Sequence, residues 1–383
     1  MNIACRRSSK PIAKCIYSSI KCNHIFTKPF DCESEVVKEA ERIVENSVSH
    51  LNQEWLLVNN TEIAPFIETV AEHPLVEYTR NLFSNQEFPS WSLLLLLISK
   101  LAGSKFESSI NQSQTTLTKI MEKLRLSNII HKSMRTILRH EKGIEEICTT
   151  NQVLLLSGDY IFSTCMLDLS TLGSWRVNEI VFSSARDLTE AAFIPPEYNQ
   201  NMTIPAPPKS NVENVVIRNY IDSGSISYGD ALGNAKSEWI ARQLTNEAHI
   251  MAKFSQASTV LANQPEELQE SAYILGRNLA LAMQLRKEIS IFRPGNYTPF
   301  LLTNAPLMFH LQDNVDDYKT ITDSFSKCDI FKYDCIRELV ANGSGLQKSV
   351  EMKTELVNSC LEVLNKFPDN DAKDVLSNIL LDV

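Results

Sequence analysis

The sequence predicts an all-α protein that forms a single large helical bundle. Apolar residues recur at steps of three and four through most of the chain, whereas the alternation typical of strands is scarce. Of the 383 residues, 43% are hydrophobic and 22% are charged, which is ordinary for a globular protein with a large core. No linker marks a second domain, so we assign residues 34–383 to one domain.

The clearest predicted helix is Ser271–Phe292, whose apolar residues fall on one helical face. Gly103 and Pro368 stand where helices end, because glycine suits a helix C-terminus and proline interrupts a helix. Val181–Leu188 leaves helix and strand both open. The predicted helices are Ser34–Ser49, one beginning near Pro74, Ser92–Ala102, Thr115–Arg139, Gln152–Leu169, Ser237–Leu261, Ser271–Phe292, one opening at Asn304, Gln347–Phe367 and Ala372–Leu380.

A long irregular insertion is predicted at about residues 194–233. Five prolines stand between Ile194 and Lys209, and proline removes backbone donors and stiffens the chain. A glycine- and serine-rich stretch, Ser223–Gly233, follows them. We expect this insertion to be a mobile cover or a surface that faces a partner.

The first thirty residues hold six basic residues and no Asp or Glu, whereas the whole chain has a net charge of −9. A basic, acid-free start that contains serine is typical of a mitochondrial transit peptide. Residues 1–33 are therefore predicted to be a leader, with the mature protein in the mitochondrial matrix. A basic arm that binds nucleic acid is the alternative, but the acidic body would repel a phosphate backbone, so we expect no nucleic-acid partner.

Several classes of function lack their usual signals. The nine cysteines are scattered without CxxC pairs and the seven histidines form no HxxxH pair, which argues against a disulfide framework and a zinc site. Phosphate-binding glycine loops and the motifs of zinc peptidases and serine hydrolases are missing from the sequence. The longest apolar run, Leu93–Ile98, is far shorter than the ~20 residues of a membrane-spanning helix, so no span is predicted.

Three short segments, taken in their order and spacing, resemble the trans-isoprenyl diphosphate synthases over most of residues 35–383. They are IIH at Ile129–His131, LLSGDY at Leu155–Tyr160 and GRNLALAMQL at Gly276–Leu285. The resemblance implies a helical bundle of the isoprenyl synthase type. It also implies two aspartate-rich motifs whose carboxylates share Mg²⁺ with a diphosphate.

The positions of both aspartate motifs are altered in this chain. They fall on Leu138, Arg139 and Lys142 for the first motif and on Lys287, Glu288 and Ile291 for the second. Aspartates at the first and fifth positions lie one helical turn apart, so that their oxygens can share a metal ion. A lysine repels the ion, and isoleucine or leucine offers no oxygen. We therefore expect no catalytic, metal or cofactor site on this chain, and we expect Glu288 to be a solvated charge.

Other positions of this chain also differ from the pattern of the family that it resembles. The resemblance places a basic clamp before the Leu93 run, yet no Lys or Arg stands between Gln86 and Ser92. The family's Lys-Thr pair falls on Arg242-Gln243, which keeps a cation but not the hydroxyl. A shifted register would bring Glu141 and Glu145 to one face, although a solvated acidic face is the simpler interpretation.

This combination resembles the second, non-catalytic subunit of mitochondrial decaprenyl or solanesyl diphosphate synthase. The resemblance implies a regulatory or structural subunit, inactive alone, of a heteromeric synthase that makes the ubiquinone side chain. It implies a catalytic partner that holds the Mg²⁺, in an assembly expected to be a heterotetramer. We expect helices beside the altered motifs, including Thr115–Arg139, to contact that partner.

Two alternatives stay open. One is an active synthase with atypical metal ligands, in which Arg139 and Lys287 bind the anion. The other is an unrelated helical scaffold that binds only protein. Turnover by the isolated chain distinguishes the first, and co-purification of a prenyl synthase distinguishes the second.

Overall fold

The structure is a computed structural model that describes residues 91–103, 110–134, 143–190, 197–198, 202–209, 231–293, 295–296, 298, 300–326 and 333–383. The helices in these ranges are α1 (Trp91–Ala102), α2 (Gln112–Lys132), α3 (Ile144–Thr171), α4 (Trp175–Glu190), α5 (Ala235–Leu244), α6 (Glu247–Leu261), α7 (Glu266–Ile291), α8 (Ala305–Asp313), α9 (Val315–Ser326), α10 (Tyr333–Asn342), α11 (Gly345–Leu364) and α12 (Asp371–Asp382). Two-residue strands β1 (Glu197–Tyr198) and β2 (Met202–Thr203) pair antiparallel between α4 and α5. The all-α prediction is confirmed.

Helix α7 lies at the centre of the bundle, with α6 along one side and α11 along another. Its predicted apolar stripe is buried, and Leu275 and Leu279 have no exposed surface. Gly276 allows α6 to approach closely, because a Cβ atom there would lie 2.4 Å from Ser255 Oγ and 2.7 Å from the Met251 carbonyl oxygen. The stripe therefore organises the main core as the sequence predicts.

The helix boundaries agree with the sequence in some places and differ in others. Helix α1 ends at Gly103, which has the left-handed φ of 62° expected there. The predicted helix Ser237–Leu261 is wrong as a single element, because α5 ends at Leu244 and α6 begins at Glu247. Thr245 Oγ1 donates to the carbonyl oxygens of Ala241 and Arg242 at 3.3 and 3.0 Å. Such side-chain bonds compete with the backbone hydrogen bonds of a helix and therefore favour its end.

The ambiguous segment Val181–Leu188 belongs to helix α4. The sequence pattern did not predict α9 and α10, which are short and contribute few residues to the core. The four cysteines in the described ranges form no disulfide, as expected. The predicted helices at Ser34–Ser49 and near Pro74, together with the leader at residues 1–33, lie outside the described residues.

The described end of the insertion, residues 202–209, is a packed segment that we call the strap. Its residues 204–206 are buried, and the expectation that the insertion is a mobile cover or a partner-facing surface stays a prediction. The Tyr318 hydroxyl on α9 donates to the Pro205 carbonyl oxygen at 3.1 Å. The strap is thereby held against the end of the bundle that carries the second altered motif.

Candidate functional site

The three positions of the second altered motif lie in the last two turns of α7. Lys287 is exposed, whereas Glu288 and Ile291 are only 2% and 9% exposed. The first and fifth positions, Lys287 and Ile291, therefore present a cation to water and an alkyl group to the interior. This end of α7 offers no pair of outward-facing carboxylates that could hold a metal ion.

Ile291 belongs to a second hydrophobic cluster, separate from the main core, which we call the plug. It joins the end of α7 to the strap and to α8, α9 and α10. The plug consists of Ile204, Ile291, Phe292, Phe300, Leu302, Leu307, Leu311, Ile321, Ile336 and Val340. The rings of Phe292 and Phe300 are in tilted contact, with centroids 4.8 Å apart and an interplanar angle of 53°. Apolar side chains thus fill the place where the resemblance puts the third aspartate.

Arg337 of α10 closes the C-terminal end of α7. Its Nε donates to the Ile291 carbonyl oxygen at 3.4 Å, and its Nη2 donates to the Thr298 carbonyl oxygen. Its guanidinium carbon lies 5.2 Å from the centre of the Phe300 ring. A cation in this position is favourable because it satisfies the last carbonyl groups and the negative end of the helix dipole.

Glu288 is not the solvated charge that the sequence suggested. Its Oε2 accepts hydrogen bonds from Trp239 Nε1 at 2.9 Å and from the Ala305 backbone N–H at 2.7 Å. Its Oε1 accepts a bond from Gln284 Nε2 at 2.7 Å. The carboxylate therefore ties α5, α7 and the first turn of α8 together, and it faces away from the solvent that a metal–diphosphate complex would need.

The Glu288 carboxyl has an unusual pKa. Burial raises the pKa from its ordinary value of 4.5 to about 7, although the three hydrogen bonds and Lys287 act in the opposite direction. Between these two pH values the folded chain keeps a proton that the unfolded chain has lost. Stability is therefore lost as the pH rises through this window.

We expect the Glu288→Gln variant to lose this pH dependence. The amide keeps the shape, and Gln284 can rotate its own amide to present an oxygen. Relative to this variant, the wild-type chain should lose about 3 kcal/mol of unfolding free energy between pH 4.5 and 7. Denaturant titrations at several pH values measure the difference. A constant difference across that range would contradict the assignment.

Arg242, the cation that the resemblance lays on the family's lysine, is already paired inside the chain. Its Nε and Nη2 donate to Glu238 Oε1 at 3.0 and 2.8 Å. The two side chains are 10% and 1% exposed. This guanidinium is neutralised by a neighbour one turn earlier on α5 and does not face solvent.

The two remaining family segments meet where α2 packs on α3. A Cβ atom at Gly158 would lie 2.2 Å from His131 Nε2, so only glycine leaves room for that ring. Ser127 Oγ donates to the Gly158 carbonyl oxygen at 2.9 Å, and His131 Nε2 lies 3.2 Å from Asp159 Oδ1. The segments Ile129–His131 and Leu155–Tyr160, on which the resemblance partly rests, are therefore in direct contact.

The first altered motif at Leu138, Arg139 and Lys142 lies outside the described residues, as does Glu141, whereas Glu145 is exposed on α3. Within the described part of the chain, no group of three or more His, Cys, Asp or Glu side chains could hold a metal ion. The loss of metal binding at the first motif stays a prediction.

Comparisons with known proteins bear on the fold of this chain. No family model matches the sequence. The chain is 25% identical to human "All trans-polyprenyl-diphosphate synthase PDSS2", over 91% of this chain and 87% of that protein. It is 22% identical to "Probable hexaprenyl pyrophosphate synthase, mitochondrial" of Neurospora crassa, over 70% and 57% of the two chains. The solved decaprenyl diphosphate synthase from Rhodobacter capsulatus superposes with a TM-score of 0.60 at 14% identity, covering 89% and 97%. The chain has the fold of the trans-isoprenyl diphosphate synthases.

An isoprenyl synthase fold with this α7 does not suit Mg²⁺ at the second motif. The ion requires several oxygen ligands at short distance, whereas both Glu288 carboxylate oxygens already accept hydrogen bonds from three donors within the chain. The fold similarity also sets aside the unrelated scaffold among the alternatives.

Helix α3 of this synthase fold is apolar on more than one side. By length and composition its segment Ile147–Thr171 is apolar enough to cross a membrane, and 28% of its most apolar window is buried. One side packs on α2, while Leu156 and Leu167 on the other side are each 67% exposed. Its interpretation as a core helix is therefore wrong for the outer side. An apolar surface wider than one stripe is the sequence signal that indicates a second contact.

Helix α4 is anchored to α6 and also exposes large apolar side chains. Asp187 accepts a bond from Lys253 Nζ at 2.6 Å and lies 2.8 Å from His249 Nδ1. Burial would raise the pKa of Asp187, but the bonds and charges of His249 and Lys253 hold it well below its usual range. On the opposite side, Trp175 and Phe182 are exposed. We call the exposed apolar side chains of α3 and α4 the outer face.

Two apolar residues of the predicted helix Thr115–Arg139, on which a partner contact was expected, are buried inside this chain. Leu126 and Ile130 of that predicted helix are 4% and 0% exposed within this chain alone. They are core residues of α2 and are not available to a partner. Helix α2 ends at Lys132, and Arg139 lies beyond the described residues.

Proposed function

We propose that this chain is a non-catalytic subunit, regulatory or structural, of a heteromeric trans-polyprenyl diphosphate synthase that makes the ubiquinone side chain. A catalytic synthase of the same fold is its partner and holds the Mg²⁺, and the assembly is a heterotetramer. The chain has no prenyl transferase activity alone and works in the mitochondrial matrix.

The observation that carries this proposal is the state of the second motif. Ionisation of an allylic diphosphate places several negative charges on the leaving group, and Mg²⁺ normally stabilises them. Lys287, the buried Glu288 and the plug residue Ile291 recruit no such ion. An active synthase with atypical ligands would need carboxylates that this end of α7 does not provide.

Similar proteins support the pathway and the compartment. The human relative is named an all trans-polyprenyl-diphosphate synthase, and the Neurospora relative carries the word mitochondrial in its name. The basic, acid-free start of the sequence agrees with the same compartment.

The outer face supports the need for a partner. Permanent interfaces between subunits are apolar at their centre and enriched in aromatic residues. Leu156, Leu167, Trp175 and Phe182 are exposed apolar side chains that such an interface would bury. A second helical chain of the synthase fold is the occupant that we propose, because this chain itself lacks the metal site that the reaction requires.

The decisive experiment expresses the catalytic synthase of the same organism with and without this chain. We expect soluble, fully active polyprenyl synthase only when both are present, and no incorporation of labelled isopentenyl diphosphate by this chain alone. Activity of the isolated chain with Mg²⁺ would favour the active-synthase alternative. A partner that is equally soluble and active without this chain would refute the subunit proposal.

The proposed removal of the leader can be tested separately. Protein isolated from mitochondria should begin after the basic segment, before or near residue 34, because targeting sequences are removed in the matrix. N-terminal sequencing and protease protection of intact mitochondria test this. An intact Met1 on the organellar protein, or an exclusively cytosolic location, would contradict it.

A further inference from the structure

Glu238 sits at a convergence of hydrogen-bond donors from three different segments. Its Oε1 accepts bonds from Arg242 and from the Ala206 backbone N–H, the latter at 3.0 Å. Its Oε2 accepts a bond from the Gly233 backbone N–H at 2.9 Å. The donors come from α5, from the strap and from the turn before α5. One carboxylate thereby fastens the strap to the bundle.

The arrangement has the composition of a binding site for a small oxyanion. A guanidinium and two backbone N–H groups around one carboxylate are the donors that proteins use for carboxylates and phosphates. Glu238 is 1% exposed, so water does not compete for these donors. Charge-assisted hydrogen bonds in such a setting are strong, and loss of the carboxylate would leave the cation of Arg242 buried without this partner.

Gly233 is required by the same arrangement. Its φ is +87°, in the left-handed region, and a Cβ atom there would lie 2.8 Å from the Pro207 carbonyl oxygen. The neighbouring bond from the Lys209 N–H to the Gly233 carbonyl oxygen, at 2.9 Å, holds the turn beside the strap. A side chain at this position would displace the N–H that points at Glu238.

We propose that Arg242 and the N–H groups of Ala206 and Gly233 form an oxyanion-binding site that the chain's own Glu238 carboxylate permanently fills. The internal carboxylate pairs with Arg242, the cation that the resemblance lays on the family's lysine. It also locks the strap over the plug, because Ile204 at one end of the strap is a plug residue. The inference concerns this chain alone and stands whether or not the chain joins a heteromer.

The test is chemical rescue of the Glu238→Ala variant in the full chain. Without its carboxylate, the variant should lose amide hydrogen-exchange protection at Ala206 and Gly233 by roughly tenfold or more. Its melting temperature should fall. Added formate should restore both properties, while sodium chloride at the same ionic strength should not. In Glu238→Ala/Arg242→Ala the effect of formate should disappear, because the charged donor is gone.

A matched control is Glu355→Ala, which removes the exposed carboxylate that pairs with Lys236 at 2.7 Å. Its melting temperature should change little and should not respond to formate. If Glu238→Ala does not fold, Glu238→Gln serves instead, since its amide keeps the shape but not the charge. Arg242→Ala should then weaken strap protection in the wild-type chain and add little in the Glu238→Gln background.

Two results would overturn the proposal. One is wild-type protection of Ala206 and Gly233 in both the Glu238→Ala and Glu238→Gln chains. The other is a formate effect of equal size in Glu238→Ala, Glu355→Ala and the wild-type chain.

Discussion

Replacing Ile291 with aspartate is expected to lower the unfolding free energy by about 3 to 5 kcal/mol. The new carboxylate would lie in the plug among Phe292, Phe300 and Val340, where the Arg337 guanidinium is already bound to the Ile291 and Thr298 carbonyl oxygens. The physical cause is the cost of burying a new charge, added to the loss of apolar contacts. Urea titration monitored by circular dichroism measures the change.

Two control variants separate charge burial from other effects. Ile291→Val removes one methyl group and should cost about 1 kcal/mol. Lys287→Asp alters an exposed position of the same motif and should change stability by less than about 1 kcal/mol. The combined Lys287→Asp/Ile291→Asp chain should show no Mg²⁺-dependent prenyl transfer. A combined variant as stable as the wild-type chain, or one that gains activity, would contradict the plug.

The second large effect is expected at the outer face. Leu156→Glu combined with Leu167→Glu should weaken binding of the catalytic partner by at least about 100-fold, which corresponds to about 3 kcal/mol. The isolated chain should keep its melting temperature, because both side chains are already 67% exposed. Titration of the purified partner onto the immobilised chain measures the affinity.

Leu381→Glu is the matched control for this surface. Leu381 on α12 is also exposed, at 72%, but it lies on a different helix. Its replacement should leave partner binding within a factor of about two. If the two α3 substitutions bind the partner as tightly as the wild-type chain does, α3 is not the interface. If Leu381→Glu weakens binding as much, the effect is not specific to the outer face.

The sequence alone determined the fold class and the chemical character of the altered motif. The stripe through Leu275 and Leu279 is a local property of a helix with 3.6 residues per turn, so its spacing predicts a buried face without knowledge of the neighbours. Gly103 marks the end of α1 for an equally local reason, since its left-handed backbone favours glycine. The absence of aspartate at positions 287 and 291 is a fact of composition.

Only the tertiary structure decided what the polar residues next to the stripe do. Glu288 is a neighbour of the buried stripe, and its burial depends on Trp239 and Ala305, which are 49 and 17 residues away. Arg242 looked like an available cation until the structure placed the strap and Glu238 against it.

The exposure of apolar residues on the outer side of α3 was likewise decided by the tertiary structure. Leu156 is as apolar as any core leucine, and helical spacing cannot tell a face packed by the same chain from one left for another chain. Burial is set by contacts between residues far apart in sequence. For this reason the sequence predicted which helices exist, whereas the assembled bundle decided that Glu288 is enclosed, that Ile291 lies in the plug and that Leu156 faces outward.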